Sequence, residues 1–206
     1  MKPYLKNHFR ATEFTFIGSD LKHRLPKHIL QVKWNQPAAR WFKLNSDGSS
    51  LGSPSRAEGG GIIRNADGEW VTGYARAIGT TTSVEAELWA LRDEINLCLS
   101  LNLAAIEIEL DAKLVINLLE KDGDYPNGND IIVADCREGL RKFSSVKIQH
   151  CFREANKGTD ALARKGALLS QDFTVFSQLP MDVALRISLD SAGTFYNRST
   201  SCISVV

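Results

Sequence analysis

The stretch Trp41-Phe42-Lys43-Leu44-Asn45-Ser46-Asp47, followed by Gly48-Ser49-Ser50, decides how the rest of the chain is read. Its alternation predicts a strand that stops at a run of turn residues, with Asp47 at its end. Next, Gly59-Gly60-Gly61-Ile62-Ile63-Arg64 runs into Asn65-Ala66-Asp67-Gly68, a hairpin signal, and Trp70–Ala77 returns beside it. Three strands in succession imply an antiparallel meander.

Beyond the meander the period changes. Val84, Leu88, Leu91 and Ile95 form an apolar helical stripe, with Thr81-Thr82-Ser83 placed to cap it. Ile106-Glu107-Ile108-Glu109-Leu110 alternates strictly and predicts a fourth strand closed by Asp111. Leu114–Leu119 reads as a short helix, 121–128 as a loop, Ile131–Phe143 as a helix, Val146–Phe152 as a fifth strand and Asn156–Leu169 as a final helix. The order β-β-β-α-β-α-α-β-α predicts an α/β fold: a five-stranded mixed sheet with helices on both faces.

Working outward gives three regions. Residues 1–40 hold eight Lys/Arg against two acids and read as a basic arm or linker, with a short helix around His28–Trp34. Residues 41–170 form the domain, and 171–206, apolar in places but weakly periodic, read as an appended tail. The net charge of the 206-residue chain is only +1, so bulk charge argues for neither a nucleic-acid nor a membrane partner. Cys98, Cys136, Cys151 and Cys202 show no CxxC pair and no zinc spacing, and they read as reduced thiols without a disulfide partner. The basic N-terminus lacks an apolar leader core, and no stretch approaches the ~20 apolar residues of a membrane span. The expectation is an intracellular protein of nucleus or cytoplasm.

Four acids fall where such a sheet gathers them. Asp47 and Asp111 end strands that run in the same direction, which places their carboxylates side by side at one edge. Glu87 lies about 70° from the centre of the first helical stripe, toward the sheet margin. Asp160 lies one turn into the last helix. Singly, each fits a plain role: Asp111 a helix cap, Glu87 a complement to the helix dipole, Asp47 a turn residue, Asp160 a solvated helix residue. Brought together they repel, and a divalent cation resolves the conflict; hard oxygen ligands suit Mg²⁺ or Mn²⁺ rather than zinc.

The order of the motifs adds to this. Trp41–Ser49, the Gly59–Arg64 and Asp67-Gly68-Glu69-Trp70 pair, Ser83-Val84-Glu85-Ala86-Glu87-Leu88-Trp89-Ala90-Leu91, Ile106–Asp111, and Arg153-Glu154-Ala155-Asn156 with Asp160-Ala161-Leu162-Ala163 together resemble a type 1 ribonuclease H domain of the plant, retrotransposon-derived sort. The resemblance implies the ribonuclease H-like fold and an endonuclease that cuts the RNA strand of an RNA/DNA hybrid, leaving 3′-hydroxyl and 5′-phosphate ends. It assigns catalysis and metal binding to Asp47, Glu87, Asp111 and Asp160, with two Mg²⁺ ions bridged by Asp47 and Mn²⁺ as a substitute. It places Gly48, Ser49, Ser83 and Asn156 near the substrate, whose shape rather than sequence would be read. Ser83 and Asn156 also fit helix caps.

Three departures favour an alternative reading, a weakly active or inactive nucleic-acid-binding module from a retroelement. Ala112 follows Asp111 where Ser is usual. Leu119 to Phe143 lacks the basic handle of some relatives, and the histidine-bearing loop before the last helix is missing. His150 reads as a sheet residue. Lys157, Arg164 and Lys165 are left as candidates for phosphate contacts.

Overall fold

In this computed structural model, residues 27–51, 56–120, 130–166, 168–169 and 172–201 are described. The meander forms as expected from β2 (Phe42–Leu51), β3 (Arg56–Arg64) and β4 (Trp70–Gly79). The β3–β4 hairpin closes on Asn65, whose carbonyl accepts the Gly68 N–H at 3.0 Å. Gly68 sits at φ +79°, a conformation that costs glycine least.

The elements that follow are α1 (Ser83–Ser100), β5 (Ala105–Leu110), α2 (Lys113–Glu120), α3 (Asp130–Leu140), β6 (Ser145–His150), a 3₁₀ turn (Arg153–Ala155) and α4 (Lys157–Gly166). They are succeeded by β7 (Phe173–Phe176) and α5 (Met181–Ser191). The sheet order is β6-β5-β2-β3-β4-β7, with β5 and β6 parallel to β2 and the other pairs antiparallel. The mixed α/β sheet is therefore the expected one, with β7 as a sixth strand beyond the five read from sequence. The expected loop at 121–128 lies outside the described residues.

The chain divides into two compact units, residues 32–196 and residues 1–31 with 197–206. In the smaller unit, the described residues belong to β1 (Lys27–Val32) and β8 (Tyr196–Ser201), which pair as a two-stranded sheet. Thr200 donates its hydroxyl to the His28 carbonyl at 3.2 Å. The helix expected around His28–Trp34 is thus a strand: pairing with a segment about 170 residues away overrides a weak local pattern. The expected tail 171–206 differs as well, because β7 extends the main sheet and α5 contributes to its core.

Two cores flank the main sheet. On one face, Leu44, Ile63, Ile106 and Ile108 pack with Leu88, Leu91 and Ile95 of α1 and Val133 of α3, all fully or almost fully buried. Each such side chain contributes about 1.5–3 kcal/mol by leaving water. On the other face, Ile62 meets Leu162 of α4 and Val183 and Ile187 of α5. Beside this second core, β2 and β5 present polar side chains. Lys43 reaches Glu107 and Glu109 at 2.6 Å each, and Asn45 bonds Glu109 at 3.0 Å. Arg64 joins Asn45 at 2.9 Å and Asp190 of α5 at 3.0 Å, under the ring of Trp34. Strand alternation carries this polar row on to Asp47 and Asp111.

Candidate active site

Asp47 lies within β2 rather than at its end, paired across to Gly60 of β3. The parallel ladder with β5 stops at Asn45 opposite Glu109, so Asp47 and Asp111 stand two residues beyond the same rung. Parallel direction together with this register brings them level. Glu87 arrives from the first turns of α1. A capping box holds that end: the Glu85 N–H donates to the Thr82 hydroxyl, and the Thr82 N–H donates to the Glu85 carboxylate, both at 3.2 Å.

Glu87 is fixed by one further contact, the Gly48 N–H donated to its Oε2 at 3.0 Å. Only glycine fits at position 48, since a Cβ there would overlap the backbone of Ala86 and the Glu87 amide. Ligand oxygens of Asp47, Glu87 and Asp111 lie within 4.8 Å of one another. Asp47 and Glu87 are buried and Asp111 is half-buried.

Electrostatics records the strain of this arrangement. Burial, then the charges of Asp111 and Asp160, push the Asp47 carboxyl up to about 7. Burial, then Asp47 and Asp111, push Glu87 up to about 9, against the opposing hydrogen bond from Gly48. Two carboxyls that hold their protons near neutrality, facing a third carboxylate, form a hard-oxygen donor set. A divalent cation fits it, because it would replace the protons and cancel the repulsion.

Asp160, half-buried in the first turn of α4, is not part of the three-carboxylate set; both of its oxygens meet Arg164. Asp111 is also paired, with Arg153 Nε at 3.0 Å from its Oδ2. In the sequence, Arg153 belongs to the Arg153-Glu154-Ala155-Asn156 motif, and Arg164 reads only as a candidate phosphate contact. Their role as counter-charges to these acids had no signal in residue spacing beyond the i,i+4 interval of Asp160 and Arg164.

The residues expected near a substrate divide. Ser83 is exposed as the first residue of α1, and Thr82, not Ser83, caps the helix. Ser49 is half-buried, with its hydroxyl 3.2 Å from Glu58 Oε1. The Gly48 amide, by contrast, is committed to Glu87. Asn156 is 2% exposed and donates its Nδ2 to the Ser46 carbonyl at 3.0 Å, a brace between α4 and the strand that carries Asp47.

Residues 45–166 match the family described as reverse transcriptase-like. The chain belongs to this family. The match runs from Asn45, two residues before Asp47, to Gly166, the end of α4, and so contains all four acids. This reverse transcriptase-like chain is 29% identical over 169 residues to an Arabidopsis thaliana protein named for ribonuclease H. That alignment covers 82% of this chain and 27% of the relative, so the chain spans about a quarter of the relative's length.

Among solved structures, ribonuclease H1 of the archaeon Halobacterium salinarum aligns with a TM-score of 0.58 at 28% identity, over 62% of this chain and 97% of its own. The N-terminal ribonuclease H domain of a Mycobacterium tuberculosis protein aligns at 0.57 and 22% identity, over 61% and 92% of the two chains. The fold is therefore ribonuclease H-like, as the motif order implied. No helix among the described residues is long and apolar enough to cross a membrane.

Proposed function

We propose that this chain is a divalent-metal-dependent endonuclease that hydrolyses the RNA strand of RNA/DNA hybrids. The observation that carries the reading is the approach of ligand oxygens of Asp47, Glu87 and Asp111 to within 4.8 Å of one another, just past the last rung of the parallel β2–β5 ladder. Family membership and the ribonuclease H1 likeness at 28% identity support it. Mg²⁺ fits the all-carboxylate donor set, and Mn²⁺ would substitute.

In this reading Asp47, Glu87 and Asp111 would hold the first ion, and Asp160 would join Asp47 in holding a second. Divalent ions bound here supply Lewis-acid stabilisation of the attacking and departing oxygens of an in-line displacement. The chain supplies the rest. Asp47, held within β2, would serve both ions. The Gly48 amide keeps Glu87 aimed inward, and Asn156 fixes α4 to β2 so that Asp160 stays near the cluster. Burial of Asp47 and Glu87 excludes water that would otherwise weaken every charge interaction in the site. Exposed Ser83 and the neighbouring Ser49 are proposed to meet sugar or phosphate at the rim, reading a hybrid by the shape of its minor groove.

The test is incubation of the chain with an end-labelled RNA/DNA hybrid and Mg²⁺, with Asp47→Asn as control. Internal cuts in the RNA strand that need both metal and Asp47 support the proposal. Hybrid binding without metal-dependent cleavage would replace it with the binding-module reading.

A further inference from the structure

Arg164 grips Asp160 with two nitrogens of its guanidinium: Nε stands 3.2 Å from Oδ1 and Nη2 stands 2.8 Å from Oδ2. The two residues are four apart on α4, a spacing that places them on one face. Both oxygens of this carboxylate are already engaged by a cation. Arg153 treats Asp111 differently. Its Nε reaches Oδ2 at 3.0 Å, and Asp111 still contributes an oxygen to the three-carboxylate cluster. Asp160, held at both oxygens, stays outside that cluster. It is nevertheless near enough for its charge to hold the Asp47 carboxyl up.

The gripping side chain is itself accessible. Arg164 is 69% exposed and Asp160 35%. A guanidinium fork matches a phosphate as well as it matches a carboxylate. A nucleic-acid backbone arriving at this edge therefore competes directly with Asp160 for Arg164. Release leaves a carboxylate with two vacant oxygens beside Asp47.

We infer that Arg164 is a positioning residue that withholds Asp160 from the acidic cluster until a nucleic-acid phosphate takes its guanidinium, so that the fourth carboxylate is delivered by substrate. The inference deepens the proposed function and rests on it. It implies that metal alone fills the Asp47, Glu87 and Asp111 site readily, whereas a second ion binds against the hold of Arg164. An exposed pair is a weak latch, so the effect is graded: freeing Asp160 should tighten the second ion roughly fivefold.

The experiment is a calorimetric Mn²⁺ titration of the full chain without nucleic acid, in wild type, Arg164→Ala, Arg164→Lys, each combined with Asp160→Asn, and in Asp47→Asn. Arg164→Ala is expected to tighten the second ion, and Arg164→Lys, which keeps the charge but loses the fork, to fall between. Asp160→Asn should abolish the difference between the position-164 variants. Equal second-ion affinity in wild type and Arg164→Ala would overturn the inference, as would a difference that survives Asp160→Asn. Failure of the underlying reading looks different: the first ion would be unaffected by Asp47→Asn.

Discussion

Asp47 and Asp111 stand at the same level of two neighbouring parallel strands, each two residues past the rung that pairs Asn45 with Glu109. The acidic site is thus a product of sheet register. A one-residue slip between β2 and β5 would turn one carboxylate to the opposite face and dissolve the cluster.

Asp47→Asn is expected to separate function from stability. It removes the ligand shared between the proposed ions, and hybrid cleavage should fall roughly a thousandfold. The folded protein itself should gain. The native carboxyl is pushed up to about 7, whereas in the unfolded chain it ionises near its ordinary value. Folding stability therefore declines as pH rises from about 4 to about 7, and the neutral amide escapes this loss. Denaturant melts without metal at pH 8 should show Asp47→Asn more stable by roughly 2 kcal/mol, with the gain gone at pH 4. Equal or lower stability at pH 8 would count against the buried-carboxyl account.

Metal uptake should release protons. With Asp47 held to about 7 and Glu87 to about 9, the metal-free site at neutral pH is largely protonated, and an incoming divalent ion must displace what is bound. Apparent Mn²⁺ affinity is expected to climb from pH 6 to pH 9. Calorimetry in buffers of different ionisation enthalpy should show more than one proton released per first ion at pH 7. Pure metal binding with no buffer dependence would show that the carboxyls are already ionised.

The places of Asp111 and Glu87 were legible because each follows from local pattern. Strict alternation placed Asp111 at a strand end, and the stripe through Val84, Leu88, Leu91 and Ile95 placed Glu87 on a helix flank. Lys43 with Glu107 and Glu109 was not legible as a network, since polar positions of separate strands carry no mark of their partner. The same holds for β7 and α5. Four residues at Phe173–Phe176 make too short a strand to show a period, and α5 buries only Val183, Ile187 and Asp190. Their order comes from partners far away in the chain, β4 for β7 and Arg64 for α5, which no periodicity reveals.

Glu94 offers a stability test away from the site. It lies on α1 with no exposed surface, its carboxyl against the backbone of Gly61, and burial holds it well above the usual carboxylate range. The folded protein keeps this proton while the unfolded chain gives it up above about pH 4, so native stability is reduced at neutral and higher pH. Glu94→Gln is nearly isosteric and carries no proton to lose. Thermal melts should place it above wild type at pH 8 and level with it near pH 4.

Asp190→Ala is expected to be among the most damaging substitutions outside the acidic cluster. Arg64 is 2% exposed and lies between the Asp190 carboxylate, the Asn45 amide oxygen and the face of Trp34, 3.6 Å from its ring centre. Truncating Asp190 leaves a buried guanidinium with its counter-charge gone, a loss of about 3–5 kcal/mol. Asp190→Asn keeps an acceptor and should cost less. Because Asp190 belongs to α5, the same interaction ties the C-terminal helix to β3. Deleting everything after residue 172 should therefore destabilise the sheet by at least as much as Asp190→Ala. Denaturant melts of the three variants decide this, and a truncated chain as stable as wild type would show α5 to be dispensable.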